Sequence, residues 1–509
     1  MGLNAPKLVI FGIDGGDWGL VERMIARGRL PNLARFIQRG AHAEMECTWP
    51  AHTAPGWASL VTAQPPGEHG IYQFFHTQDP EYRARIVRSD DYHCTSMWDW
   101  LVGAGMSVGL VNIPMSHPPR GYRGYEISWP LENTLRFSSP PGLLAELAAC
   151  GCQFQSDLAC MYRGDLQYIH SALANVEARG RSVRHLMSRR PTDVVMVVLT
   201  EIDRVCHHYW HFSDPSHPSH VPGAQAAYVT AIDDVHEAVD RVLGEITRDL
   251  PEQTSIVIVS DHGSGPGHDA FSVHQLLEEH GLLAVRDASD SPAASWFTDG
   301  GRQIDFSRTA AYMPVPGSYG VNLNLRGRQS QGVVRPDERE RMLDQIRDLC
   351  LEVTSPRTGR RIFADVLRRE SAYAGRACDF APDLLLVPAD ERIMVSGHLS
   401  GPPWKPSYQT GHHRHRGMWI HASERLRPGR LPQPVRIVDV APTALADIGL
   451  SLPDPVQGRV VREAFASSAW AARAAGAPCA EERAGGAADA GPRREEEVVI
   501  ERLRAMGYL

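Results

Sequence analysis

Thr53 stands between Pro50 and Pro55 in the stretch WPAHTAPGWASLVTAQPPGEHG (49–70). Prolines on both sides restrict the backbone around one hydroxyl. That pattern makes a turn, or it holds Thr53 in a fixed pose for chemistry. Four other short segments put acids and imidazoles beside apolar runs. Asp14 closes KLVIFGID (7–14), and Asp203 and His207 form a D-x-x-x-H pair at the end of TDVVMVVLTEID (192–203) and just beyond it. Asp261 and His262 end TSIVIVSDHG (254–263), and His413 lies in GHHRHRG (411–417). Taken singly, these residues read as a helix cap, a surface pair, solvated loop sequence and an exposed basic loop. Taken together they suggest ligands. Carboxylate oxygens and imidazole nitrogens bind zinc or manganese. Three carboxylates and three histidines fill two three-ligand sites. Two ions roughly 3.5–4 Å apart can clamp the attacking and leaving oxygens of a displacement at phosphorus. A threonine hydroxyl is a poor nucleophile at its own pKa, and coordination would deprotonate it.

Elements must bring these residues together. KLVIFGID, TDVVMVVLTEID, TSIVIVSDHG and PDLLLVPAD (382–390) read as buried strands that stop at acids. Between them, PNLARFIQRG (31–40), AAYVTAIDDVHEAVDRVLGEI (226–246), SVHQLLEEHGLL (272–283), PDERERMLDQIRDLCLEV (336–353) and DVAPTALADIGL (439–450) have helical spacing. Alternating strands and helices predict an α/β fold, a doubly wound and mostly parallel sheet sandwiched by helices. Sites in such sheets lie outside the carboxyl ends of the strands, where these acids fall. Residues 70–190 and 284–410 break the rhythm and read as cap insertions on a catalytic domain spanning 1–465. Residues 466–497 read as a low-complexity linker, and VVIERLRAMGYL (498–509) as a short helix.

The 509 residues carry 52 basic and 60 acidic side chains, a net charge of -8 that argues against a nucleic-acid polymer as partner. Hydrophobic residues make up 43% and charged residues 22%, ordinary for a globular protein. Nine scattered cysteines form no disulfide framework and fit a reducing compartment. MGLNAPKLVIFGID lacks the basic and long apolar regions of a signal peptide, and there is no apolar run of membrane-spanning length. The expectation is a cytoplasmic protein without a membrane partner; oligomeric state is open.

VIFGIDGGDW, LPNLARFIQRGA, WPAHTAPGWASLVTAQPPGEHGIYQF, TEIDRVCHHYW, VIVSDHGSG, APDLLLV, GHHRHRGMWI and DVAPTALADIGL occur in this order over residues 8–463. They resemble the alkaline phosphatase superfamily, and within it the type I phosphodiesterase/nucleotide pyrophosphatase branch, a group that includes phosphohydrolases and phosphomutases. The resemblance implies one metal site from Asp203, His207 and His413, and a second from Asp14, Asp261 and His262, with Thr53 bridging as nucleophile. His412 competes with His413, and the pattern G-x-H-R-x-x-G favours His413. The implied cofactors are two divalent ions, zinc with manganese as the alternative. The implied activity is hydrolysis of a small phosphorylated substrate through a phospho-threonine. A phosphomutase, phosphotransferase or phosphomonoesterase with the same site is the alternative, and a metal-binding scaffold without turnover is the alternative of another class.

Four further positions are candidates for substrate contacts. In the nucleotide pyrophosphatases that the chain resembles, an asparagine three residues past the nucleophile helps hold the phosphate oxygens; here that position is Gly56, so either another donor or the backbone replaces it. His52 precedes the nucleophile, and Arg204 and Arg414 flank ligands. Sulfatases of the superfamily need C/S-x-P-x-R, whereas this chain reads Thr53-Ala-Pro55-Gly-Trp57, so that route is excluded.

Overall fold

The computed structural model describes residues 5–129, 137–152, 165–288, 297–451 and 456–467. Nearly all of the expected linker (466–497) and all of the expected helix 498–509 lie outside them.

Apolar runs that are buried at every position form the centre of the sheet, as both-faced burial requires. Val194–Leu199, Leu8–Ile13 and Ser255–Val259 are buried throughout. Leu8–Ile13 pairs in parallel with both of the others. Among the described residues the sheet has ten strands. On one side Val108–Ile113 and Gly124–Ser128 continue it in parallel. On the other, Arg416–Ala422 joins Ser255–Val259 antiparallel and Ala41–Glu46 follows, again antiparallel. Helices Leu166–Arg189, Glu201–Ser213 and Ala226–Thr247 pack against one another. The helices expected within 31–40, 226–246, 272–283, 336–353 and 439–450 are present, the 272–283 one shortened to Val273–Glu279.

Two placements differ from expectation. Residues 70–190 are not a cap insertion: they supply Val108–Ile113, Gly124–Ser128 and Ser138–Ser139 to the central sheet, and helix Leu166–Arg189. VGLVNI is a fully buried parallel strand, but it is short and sits among aromatics and prolines that mask its period. PDLLLVPAD is a strand, yet Leu384–Pro388 belongs to a separate four-stranded antiparallel sheet. That sheet lies within 284–410. The same region supplies Ile393–Ser396 and Trp404–Pro406, which flank Asp269–Ser272 in another small sheet. No helix of the described residues is long and apolar enough to cross a membrane.

Candidate metal centre and active site

Thr53 does not sit in a turn. It is the first residue of helix Thr53–Thr62, which is buried along its whole length. Pro55 falls in the first turn, where a missing N–H costs nothing. His52 caps the helix, its Nδ1 accepting from the Ala54 N–H at 3.2 Å. Thr53 therefore lies at the positive end of a helix dipole, where a phosphate is favoured.

The strand ends bring the carboxylates to this point. Asp14 follows Leu8–Ile13, and its amide donates to the Leu199 carbonyl of the adjacent strand. Trp57 Nε1 donates to Asp14 Oδ2 at 3.1 Å. Gly15 then takes a left-handed φ of 71°, and its N–H donates to Asp261 Oδ1 at 3.2 Å. A Cβ there would lie 2.9 Å from the Asp203 Cβ, so only glycine lets the three acids crowd together. Asp203 and His207 sit one turn apart on Glu201–Ser213, with His207 Nε2 3.3 Å from Asp203 Oδ1. His413 Nε2 lies 3.3 Å from the same oxygen and 3.2 Å from His207 Nε2. His262 Nε2 is 3.3 Å from Asp261 Oδ2 and 3.7 Å from Asp14 Oδ1. Thr53 Oγ1 stands 3.5 Å from Asp14 Oδ1 and 3.4 Å from His262 Nε2. The His262 and His413 rings stack at 3.8 Å. Asp14, Thr53, Asp203, His207, Asp261, His262 and His413 thus converge, all buried but His413, which is half-buried.

The donor set suits cations. His207, His262 and His413 each turn Nδ1 to a main-chain carbonyl, of Gly411 at 2.7 Å, Gly263 at 3.0 Å and Ala51 at 2.9 Å. A carbonyl only accepts, so each Nδ1 carries the proton and each Nε2 presents a lone pair to the cluster. Two such lone pairs face each other across 3.2 Å beside a carboxylate, an arrangement that a cation relieves. Asp203–His262–His413 and Asp14–Asp261–His262 each have ligand atoms close enough to hold one ion. His262 belongs to both groups, and His207 joins the first through Asp203 and His413.

The electrostatics carry the same sign. Burial, then the Asp261 and Asp203 charges, holds Asp14 well above the usual carboxylate range. Burial and Asp203 do the same to Asp261. Burial would also raise Asp203, but His207 and His413 outweigh it and hold it well below. Burial pushes His207 down, and Asp203 lifts it back above its ordinary value. Three carboxylates in one dry pocket need added positive charge to stay ionised together.

The expected substrate contacts fare less well. Gly56 cannot offer its amide, because its N–H donates to the His52 carbonyl at 2.9 Å inside the helix. Its role is to be small: a Cβ at Gly56 would lie 2.9 Å from the Asp261 Cβ. Arg414 is also corrected. Its guanidinium is spent on the carbonyls of Glu391, His412, His413 and Pro266. Arg204 is buried on the helix of Asp203, and its charge lowers both Asp14 and His207. Neither arginine lines the cavity that opens on the cluster. That cavity, about 220 Å³, is lined by His207 and His413 of the cluster and by His52, the residue before Thr53. Gln73, Lys405 and Gln409 also line it. Sequence reasoning missed these three: Gln73 lies in a quoted stretch but does not stand out among its aromatic neighbours, and Lys405 and Gln409 are isolated polar residues in segments without a motif.

Comparison with known proteins shows a family and a fold. The family model described as type I phosphodiesterase / nucleotide pyrophosphatase matches residues 8–418. Among solved structures, phosphonoacetate hydrolase from Sinorhizobium meliloti 1021 in complex with phosphonoformate is similar at 17% identity and a TM-score of 0.55, covering 87% of this chain and 96% of that one. An inactive threonine-to-alanine variant of murine ectonucleotide pyrophosphatase/phosphodiesterase 5 in complex with AMP is 14% identical, with a TM-score of 0.55, 91% of this chain and all of that one covered. A mutant of alkaline phosphatase PafA is 12% identical, with a TM-score of 0.57, covering 91% of this chain and 100% of that one. At these identities the likeness is one of fold, that of the alkaline phosphatase superfamily.

Proposed function

The chain belongs to the type I phosphodiesterase/nucleotide pyrophosphatase family, and from that premise we propose that it is a two-metal phosphodiesterase in which Thr53 attacks phosphorus. The observation that carries this reading is that Thr53 Oγ1, at a helix N-terminus, lies against Asp14 and His262 in a cluster with Asp203, Asp261 and His413, which form two groups able to hold an ion, and with His207 beside them. Asp203, His207 and His413 would hold one ion; Asp14, Asp261 and His262 would hold the other. Imidazole and carboxylate donors suit zinc, with manganese as the second choice. Bound there, two divalent ions supply Lewis-acid charge that acidifies the Thr53 hydroxyl and neutralises phosphoryl oxygens.

The chain's own residues do the rest. The helix start fixes Thr53 so that its oxygen meets phosphorus in line with the departing alcohol. A P–O bond forms to Thr53 as the bond to the alcohol breaks. Water then cleaves the phospho-threonine and releases a phosphomonoester. His52 Nδ1 accepts from the Ala54 N–H, so its proton is on Nε2 and makes it a neutral donor in the cavity. Gln73 turns its carbonyl to the Phe74 N–H at 2.7 Å, which frees its NH₂ group in the same cavity. Neutral donors suit the single charge of a diester better than the double charge of a monoester. The AMP of the murine neighbour fits a small phosphorylated substrate.

The test is metal-reconstituted protein given bis(4-nitrophenyl) phosphate and 4-nitrophenyl phosphate side by side. The reading expects faster diester cleavage. Thr53→Ala should lose at least about 10³-fold in kcat while keeping both metals. Wild-type turnover by Thr53→Ala would remove the nucleophile assignment, and a monoester preference would favour a phosphatase or mutase.

A further inference from the structure

The cavity has a second wall that the reaction above does not use. It is built by the small sheets: Thr298 and Asp299 from one, Ser396 and Lys405 from the pair of strands around Asp269–Ser272. Gln409 and His412 continue it along the segment that leads to His413.

Among the lining residues Lys405 alone carries a fixed positive charge, and Asp299 alone carries a carboxylate. They do not cancel. Asp299 Oδ2 is engaged by the Leu399 amide at 3.0 Å, the Ser400 amide at 3.0 Å and the Ser400 hydroxyl at 2.7 Å. Its job is to pin the turn at 399–400. The charge of Lys405 is felt at Asp299 and at His398, yet among the described residues Lys405 closes no ion pair.

Two other residues of the same lining carry donors that no described residue satisfies. Gln409 is 4% exposed, and its Nε2 is buried without a hydrogen-bond partner. Thr298 Oγ1 is buried without one as well. A buried amide N–H left unpaired costs about 1–3 kcal/mol, so a cavity lined by such a group and by a lysine suits an acceptor that arrives from outside. An ammonium, an amide NH₂ and a hydroxyl in one cavity lining match the oxygens of an anion.

We propose that this wall is a subsite for a second anionic group, a carboxylate or a phosphate, carried by the alcohol portion of the phosphoester and held by Lys405 and Gln409. The proposal rests on the reading that the phosphoryl group reacts at Thr53. It adds a substrate class: small phosphoesters with a charge at each end, rather than phosphoesters of uncharged aryl or alkyl alcohols. The charge selection is separated in space from the chemistry. Metals and neutral donors handle the reacting phosphorus, and the lysine reads what is attached to it.

The experiment is calorimetric binding to the zinc-reconstituted protein, so it needs no turnover. Three ligands share one scaffold: ethyl phosphate, phosphoglycolate and ethylene glycol bisphosphate. Wild type should bind one or both of the doubly functional ligands about tenfold or more tighter than ethyl phosphate. Which one gains identifies carboxylate or phosphate as the group read. Lys405→Met should bring that ratio close to one, and Lys405→Arg should restore most of it. Equal affinity for all three ligands in wild type overturns the subsite, as does a Lys405→Met protein that keeps the ratio or weakens all three alike. Diester turnover is measured in parallel. Its absence with the binding preference intact would count against the phosphodiesterase reading and not against the subsite.

Discussion

The two sides of the cavity are held in different ways. The side that carries Thr53 and the acids is fixed by backbone: strand ends, a helix start, and three imidazoles each tied to a main-chain carbonyl. Its close packing leaves no room even for a methyl group at Gly15 or Gly56 without a shift. The opposite wall comes from short strands of two to four residues and their turns. There the polar groups of Gln409 and Thr298 are left unspent. Chemistry that needs placement to a fraction of an ångström sits on rigid elements. Recognition, which varies with the substrate, sits on loops and edges. Substitutions on the first side should therefore change rate, and substitutions on the wall should change choice.

Asp261→Asn should produce the largest change among substitutions of the ligands. The amide keeps an acceptor for the Gly15 N–H but loses the charge that the second metal group needs. Metal content by elemental analysis should fall from two ions per chain towards one, and kcat/KM by roughly 10³-fold. Unchanged stoichiometry would break the contrast, because the site would then tolerate a lost charge as a flexible wall does.

The rigid side was also the more legible one. A buried apolar run that stops at an acid announces a strand and its carboxyl end together, and this is how Asp14, Asp203 and Asp261 are recognised. His207 follows from its helical spacing to Asp203. Thr53 was visible as a hydroxyl fixed between prolines, but proline signals both a turn and a first helical turn, and only the His52 cap decides between them. Arg414 looked like an anion contact because a sequence does not show that four carbonyls will surround it. Val108–Ile113 was absorbed into an expected insertion because its neighbours carry no period. The wall was silent. Thr298, Lys405 and Gln409 come from separate short segments, and only the folded chain puts them in one cavity.

Gly56→Ala sharpens the comparison, since it separates stability from activity. In a helix interior, alanine gains about 1 kcal/mol over glycine. Here its Cβ would sit 2.9 Å from the Asp261 Cβ and 3.1 Å from the Asp261 carbonyl oxygen, so Asp261 must move. The melting temperature should change little, while kcat/KM falls roughly 10–100-fold through misplacement of one ligand. The wall offers a control. Gln409→Leu should leave kcat on bis(4-nitrophenyl) phosphate within about threefold, because a diester of an uncharged phenol has no second anion for that amide to bind.

Of the substitutions expected to lower activity, Arg414→Lys should give the smallest loss, and it probes the seam between the two sides. Arg414 joins the Glu391 carbonyl, which precedes the wall strand Ile393–Ser396, to the carbonyls of His412, His413 and Pro266 beside the proposed metal ligands. Its planar fork reaches several acceptors at once, whereas an ammonium is a compact point charge that covers fewer. Each carbonyl left unpaired in this buried place costs about 1–3 kcal/mol, offset in part by the bonds that lysine keeps. The expected result is a lower denaturation midpoint and a loss in kcat/KM of roughly tenfold, with metal content unchanged because His413 keeps its own bond to the Ala51 carbonyl. If Arg414→Lys instead lowered diester affinity with stability intact, the guanidinium would be touching substrate, and the division between a side that sets rate and a wall that sets choice would have to be redrawn around it.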